Sequence, residues 1–145
     1  MRIGVIADTH GWLDPRVAEL FAGVQLILVA GDIGARSVIA GLASVAPVEA
    51  VRGNNDERGE CAGLPDQLSL ILGGYRVRLS HYRKQASVES EIAVFGHSHR
   101  ALWQFEGERY LLNPGAAGRR GFHRERSVAI LELERGRAPD RKSVV

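Results

Sequence analysis

Hydrophobic and polar positions fall into blocks along the chain. Residues 2–7 (RIGVIA) are an apolar, β-branched run with no polar alternation, the pattern of a strand buried on both faces. Asp14 and Pro15 supply an N-cap and first-turn pair. Val17, Leu20 and Phe21 then recur at helical spacing, and Gly23 stops the helix. Residues 25–30 (QLILVA) predict a second buried strand. Val38, Leu42 and Val45 mark a helical face that ends before Pro47, and residues 48–51 predict a third strand. This β-α-β-α-β alternation argues for parallel strands joined by crossover helices.

After Pro65 the period changes. Leu68, Leu70 and Leu72 alternate with polar or small neighbours, Gly73-Gly74 is a two-residue hairpin turn, and Tyr75, Val77 and Leu79 alternate with Arg76, Arg78 and Ser80. Residues 92–95 predict another buried strand. Residues 101–106 and 109–112 flank Glu106-Gly107-Glu108 as a second hairpin, on which Trp103 is expected to pack, and residues 127–133 predict a last strand. The fold class is therefore mixed α/β, a parallel half followed by a more antiparallel half.

Composition narrows the class. At 145 residues, 45% hydrophobic and 25% charged, the chain suits one compact domain and argues against wholesale disorder. That domain is expected over residues 1–134, with residues 135–145 as a flexible, solvated tail. No apolar run approaches the ~20 residues of a membrane helix. The N-terminus lacks the pattern of a secretory signal. Cys61 is the single cysteine, which excludes a disulfide-stapled scaffold, and a cytoplasmic setting is expected. The net charge of +2 is too small to point to nucleic acid. Among the basic residues only Lys84 and Lys142 are lysine; genomic base composition explains that bias, although arginine also suits bidentate phosphate contacts.

The chemistry sits where the apolar strands stop. Ile6-Ala7 runs into Asp8-Thr9-His10, Val29-Ala30 into Gly31-Asp32, and Val51, through Arg52, into Gly53-Asn54-Asn55-Asp56. Leu79-Ser80 runs into His81, and Val94-Phe95 into Gly96-His97-Ser98-His99. Open α/β sheets place their ligands at the carboxyl ends of strands. Side by side, these strands would bring two Asp, four His and one or two Asn to one rim. Imidazole and carboxylate are ligands of zinc, manganese, iron and nickel. Glycine before Asp32, Asn54 and His97 is expected to let backbone approach closely and adopt positive φ. Each piece alone has an ordinary reading: Asp8 or Asp32 as a cap, residues 53–56 as a turn, His81 as a structural histidine. Together, four of the five histidines fall at strand ends beside acidic or amide oxygens, which is far more specific.

Taken in order, Asp8-x-His10, Gly31-Asp32, Gly53-Asn54-x-Asp56, His81 and Gly96-His97-x-His99 resemble the calcineurin-like metallophosphoesterases. The small single-domain YfcE-type phosphodiesterases of bacteria and archaea are the branch most like it. Asn113-Pro114-Gly115 matches that branch's late turn, and the likeness runs over roughly residues 1–133. The resemblance implies a four-layer α/β/β/α sandwich with two mixed sheets and a dinuclear metal site. Asp8, His10, Asp32 and His99 would hold one divalent cation. Asp32 would bridge to a second held by Asn54, His81 and His97. Manganese is the metal expected first, with nickel, zinc, iron or magnesium as alternatives. Two such ions ~3.5–4 Å apart lower the pKa of a bridging water, which attacks phosphorus in line. Asp32, Asn54 and His97 are the residues expected to be catalytic in that sense.

Two departures from the family pattern bear on activity. Many members have His directly after the metal-binding Asn, where it helps protonate the leaving group; here the residue is Asn55, whose amide donates a hydrogen bond but cannot be a general acid. Good leaving groups should therefore be favoured, unless His123 substitutes. Only a short helix fits between His81 and His97, so Tyr82 is expected to crowd or line the site. Asn55, Arg119 and Arg120 are the expected substrate contacts, with Trp12 at the border of the cleft and Phe122 as a loop anchor. Cys61 is not at a nucleophile position. The expected partner is a small phosphodiester, with no membrane and no nucleic acid; the second hairpin offers a face for a homodimer. The competing reading, from another class, is a protein-binding scaffold like the retromer subunit of this fold, whose metal site lacks a histidine ligand. The retention of His10, His81, His97 and His99 favours an enzyme.

Overall fold

The computed structural model describes residues 1–86, 89–119 and 125–144. Its strands run in chain order β1 (Arg2–Ile6), β2 (Leu26–Ala30), β3 (Val48–Val51), β4 (Gln67–Leu72) and β5 (Tyr75–Ser80). They continue with β6 (Ile92–Val94), β7 (Leu102–Glu106), β8 (Arg109–Asn113), β9 (Val128–Glu132) and β10 (Asp140–Val144). Two helices, α1 (Val17–Leu20) and α2 (Arg36–Ala43), lie in the connections of the first three strands.

Two mixed sheets result. The first has the order β10-β9-β1-β2-β3, with β1, β2 and β3 parallel and β9 and β10 antiparallel. The second has the order β4-β5-β6-β8-β7, with β5, β6 and β8 parallel and an antiparallel strand at each edge. The two predicted hairpins are those edges, turning at Gly73-Gly74 and Gly107-Glu108. Trp103 packs as expected, stacked on Tyr110 at 5.0 Å.

Alternation decides what each face meets. Ile3, Val5 and Leu28 of the first sheet face Val77, Leu79 and Val94 of the second, all buried in the main core. Leu68 and Leu70 point inward on β4, while Ile71 is 70% exposed. The opposite face of the first sheet buries Ile6, Ile27 and Val29 against Val17 and Phe21 near α1 and Val38 and Leu42 of α2. Full burial of each such side chain contributes about 1.5–3 kcal/mol. The outer face of the second sheet (Ala93, Phe95, Leu111) is buried too: Leu102 and Ala86, the latter after a 3-10 turn over Arg83–Gln85, pack there. The second helical layer is reduced accordingly among the described residues, as the short segment predicts. No helix among them is long and apolar enough to cross a membrane.

Two local expectations need correcting. Asp14 is not the N-cap of α1: Arg16 occupies that position, and the Asp14 carboxylate instead accepts the Arg16 N–H at 2.9 Å while its carbonyl accepts Val17 N–H. The stretch after Glu134 is not simply a solvated tail. Residues 140–144 form β10, paired with β9 along its whole length. β9 needs a second neighbour for its backbone groups, and an edge strand can satisfy them with polar side chains facing water.

Candidate metal centre

The strand ends do meet. Beyond β1 and β2 the backbones stay paired, with Asp8 N–H on the Gly31 carbonyl (3.0 Å) and His10 N–H on the Asp32 carbonyl (2.9 Å). His97 N–H donates to Asp8 Oδ2 (3.1 Å), which ties the end of β6 to the end of β1 across the two sheets. Asp8, His10, Asp32, His97 and His99 all have φ between 48° and 69°. Among the described residues only Glu108, in a hairpin turn, is another non-glycine with positive φ. Asp and His enter this left-handed region more readily than most residues, still at a cost of roughly 1 kcal/mol or more each. The strain is concentrated on the ligand-type side chains.

The flanking glycines serve two different needs. Gly31 has the positive φ that was expected (87°), and a Cβ there would lie 2.5 Å from the His81 ring. Gly53 and Gly96 do not adopt positive φ; they admit close approach, since a Cβ on Gly53 would sit 2.1 Å from Asp32 Oδ1.

Asp8, Asp32 and His81 form a buried floor, while His10, Asn54 and His97 are exposed at the rim and His99 is half-buried. Ligand atoms of Asp8, His10 and His99 lie within 4.8 Å of one another, as do those of Asp8, Asp32 and His81. His81 Nδ1 faces the Ala30 carbonyl at 2.7 Å. A carbonyl only accepts, so Nδ1 carries a proton, and the neutral ring aims its Nε2 lone pair into the site. There Nε2 meets Asn54 Oδ1 at 3.0 Å and Asp32 Oδ2 at 3.4 Å. Three acceptors converging on one point require a proton on His81 or a cation between them. Asp8 Oδ1 is likewise buried without a hydrogen-bond partner, 3.5 Å from His99 Nε2. Both features fit a divalent cation. His97 and His99 diverge, His99 toward Asp8 and His97 toward His81, whose ring centroid is 5.1 Å away.

The electrostatics agree. Burial pushes the Asp8 carboxyl up to about 7, only partly offset by His81. Burial would also raise Asp32, but its bonds to His81 and to Asn55 N–H outweigh this and hold it below the usual range. Burial opposes the charged form of His81, yet contact with Asp32 and the Ala30 carbonyl leave it raised.

The expected substrate contacts are placed unevenly. Asn55 is turned inward: its N–H donates to Asp32 Oδ1 (2.9 Å), and its amide nitrogen lies 3.3 Å from Asp32 Oδ2 and 3.5 Å from His10 Nδ1. The Arg119 guanidinium lies over the Trp12 ring at 5.3 Å, as does that of Arg126. Arg120, Phe122 and His123 lie outside the described residues. Tyr82 does line the site, 4.7 Å from the His97 ring. Cys61 is buried in the core behind the first sheet, and burial raises its thiol.

Two residues of the motifs have roles that the sequence reading missed. Asp56 is buried and accepts N–H groups from Ile33, Gly34 and Gly53 at 2.9–3.1 Å, locking the Asp32 loop to the Asn54 loop. A signal was available, because an acidic residue three positions after Gly53 has capping-box spacing. Asn113 donates to the Gly96 carbonyl (2.9 Å) and Ser98 Oγ (3.1 Å), and so fixes the loop that carries His97 and His99.

Known proteins resemble this chain. A "Probable metallophosphoesterase" of Methanothermobacter thermautotrophicus is 31% identical over 133 residues, covering 80% of this chain and 77% of its own. Among solved structures, an archaeal phosphodiesterase superposes with TM-score 0.76 at 20% identity, over 99% of this chain and all of its own. A Vps29 variant (D62A) of Entamoeba histolytica gives TM-score 0.78 at 20% identity, over 99% and 98% of the two chains. At such identities the structures establish the shared fold. The calcineurin-like phosphoesterase superfamily domain matches residues 1–136, nearly the whole chain and every strand end described above, and the protein belongs to that superfamily.

Proposed function

We propose that this metallophosphoesterase hydrolyses small phosphodiesters with two divalent cations. The observation that carries the reading is the convergence of acceptor atoms at the strand ends, where the buried Asp8 Oδ1 has no hydrogen-bond partner and His81 Nε2 meets Asp32 Oδ2 and Asn54 Oδ1. Asp8, His10, Asp32 and His99 are the ligands proposed for one cation, and Asp32, Asn54, His81 and His97 for the other. Bound there, divalent cations supply an activated water at neutral pH and neutralise charge that develops on the phosphoryl oxygens.

The chain's own groups do the rest. Asp32 presents two carboxylate oxygens held by Asn55 and His81. Ala30 fixes the His81 tautomer. His97 stands at the rim, against Tyr82, which holds its ring at the position proposed for a ligand of the second cation. Asn55 occupies the place of a general acid and is committed to Asp32, so protonation of the leaving group is not supplied from that position. Aryl esters should accordingly turn over faster than dialkyl ones.

The test is hydrolysis of bis-p-nitrophenyl phosphate by chelator-treated protein, with manganese, nickel, zinc or magnesium added back separately. Manganese is expected to restore turnover best, and Asp32→Ala to reduce it to background. Turnover by Asp32→Ala with verified metal content would sink the assignment. The likeness to Vps29 favours a second reading, a protein-binding scaffold, which absence of turnover with every metal would select. The proposed setting is the cytoplasm.

A further inference from the structure

Just past His97, on the outer side of the second sheet, lies a cavity of about 360 Å³ with largely apolar walls. Phe95 and Leu102 line it, Ala101 is at its mouth, and Arg83 and Arg100 stand beside it. Among the described residues the segment after His81 reaches this face with the 3-10 turn and Ala86, and the cavity opens between that turn and the residues that follow His97.

We propose that this cavity receives an aromatic ester group of a phosphodiester whose phosphate lies among Asp8, Asp32 and the site histidines. The inference rests on the phosphodiesterase reading and deepens it by naming the substrate class. His97 is the shared wall: its ring centroid is 5.1 Å from that of His81, and the same residue lines the cavity, so one diester can reach both. The volume suffices, since a dry cavity of about 150 Å³ already holds a benzene.

The wall chemistry selects an aromatic plane over other groups. Phe95 is only 3% exposed and forms a fixed floor. The Arg83 guanidinium is 6.0 Å from the Phe95 ring centroid and is held by Glu106 at 2.9 Å. Guanidinium groups stack on aromatic faces, which a saturated chain cannot exploit. The buried amide among the lining residues, Asn113, already donates to the Gly96 carbonyl and Ser98 Oγ, so a carboxylated group would lose water against Phe95 and Leu102 with no uncommitted donor there to replace it. The arginines also favour approach of an anionic diester. The same preference follows from Asn55: an aryl oxide leaves without the proton that this residue cannot give. Cavity and reacting centre thus favour one class of ester.

The test compares diphenyl phosphate with dimethyl phosphate as inhibitors of bis-p-nitrophenyl phosphate hydrolysis, in wild type, Ala101→Trp and Leu102→Ala. Diphenyl phosphate should bind wild type about tenfold more tightly than dimethyl phosphate. Ala101→Trp fills the mouth from an exposed position and should abolish that advantage, leaving the dimethyl phosphate constant unchanged. Leu102→Ala, which adds no bulk, should reduce it in the same direction. On zinc-loaded protein, diphenyl phosphate but not dimethyl phosphate should shift the Leu102 methyl resonances. Equal inhibition by the two diesters, or an advantage that survives both substitutions with unshifted Leu102 methyls, would overturn this inference and leave the phosphodiesterase reading standing. Failure to hydrolyse any diester with any metal would overturn both.

Discussion

The two rims of the site are built by different means. On the first sheet the floor is built of buried carboxyl groups: Asp8 and Asp32 sit on paired backbones, and Asp56 locks the adjoining loops through N–H groups of Ile33, Gly34 and Gly53. On the second sheet the contributing groups are imidazoles. His81 is buried, whereas His97 is exposed and His99 half-buried, these two on a loop that Asn113 holds by its side-chain amide. A rigid carboxylate floor suits groups that must hold cationic charge at fixed positions. The less buried imidazoles of His97 and His99 suit groups that must meet substrate. The contact of His97 N–H with Asp8 Oδ2 couples the two.

Removing the lock should have the largest effect. Asp56→Ala leaves the buried N–H groups of Ile33 and Gly53 and the part-buried one of Gly34 without their acceptor, and frees the Asp32 loop from the Asn54 loop. The expected loss is about 3 kcal/mol, or roughly 10 °C in Tm for a chain of this size. Bound metal and hydrolysis should fall together. Thermal unfolding with metal analysis checks it, and a Tm within about 2 °C of wild type would show that the first rim does not depend on this carboxylate.

The next effect tests the charge of the floor. Asp8 is raised from 3.8 to about 7. Between those values the folded, metal-free chain keeps a proton that the unfolded chain has released, so its stability falls as pH rises through that window. His81, also raised, acts with the same sign as pH passes above its ordinary value of 6.5. Asp32, lowered, acts oppositely, but below 3.8. Chelator-treated protein should therefore lose several degrees of Tm between pH 5 and 7.5, and the stabilisation from added zinc should grow over the same range. Asp8→Asn should flatten both trends. A metal-free Tm that rises with pH would contradict the assignment of a protonated floor.

How much of this was legible follows the same division. The parallel strands β1 and β2 were readable because strands buried on both faces are continuous apolar runs, and their ends, like that of the edge strand β3, are marked by abrupt polar residues. The two hairpins were readable from alternation around Gly73-Gly74 and Gly107. Residues 140–144 were not, because an edge strand bonds through its backbone, and Arg141, Lys142 and Ser143 carry no inward pattern. Asp56 looked like a turn residue because its partners Ile33 and Gly34 are more than twenty positions away. The left-handed backbone of Asp8, His10, Asp32, His97 and His99 has no local sequence cause; tertiary pairing imposes it. Asn55 as a partner of Asp32, rather than an open substrate donor, is likewise visible only once the loops are brought together.

The smallest effect expected is on the second rim. Asn113→Ala removes two donated bonds, to the Gly96 carbonyl and Ser98 Oγ, and the acceptor for Gly115 N–H. Ser98 is exposed and can take water instead, but the Gly96 carbonyl and the Gly115 N–H are buried, so the stability cost should be about 2 kcal/mol, still below that of Asp56→Ala. The functional cost should be larger in proportion. Loosening this loop moves His97 and His99 together, and a shift on the order of 1 Å in positioning can cost up to about a hundredfold in rate. The two rims then separate cleanly in one pair of measurements. Asp56→Ala should lose stability and activity together, whereas Asn113→Ala should lose mainly kcat, with a smaller fall in Tm than Asp56→Ala. Asn113→Asp keeps the acceptor for Gly115 N–H but not the donors, and should resemble Asn113→Ala in kcat. If it retains wild-type turnover, the amide donors do not position the histidines, and the hydrogen bond from His97 N–H to Asp8 must hold that loop instead.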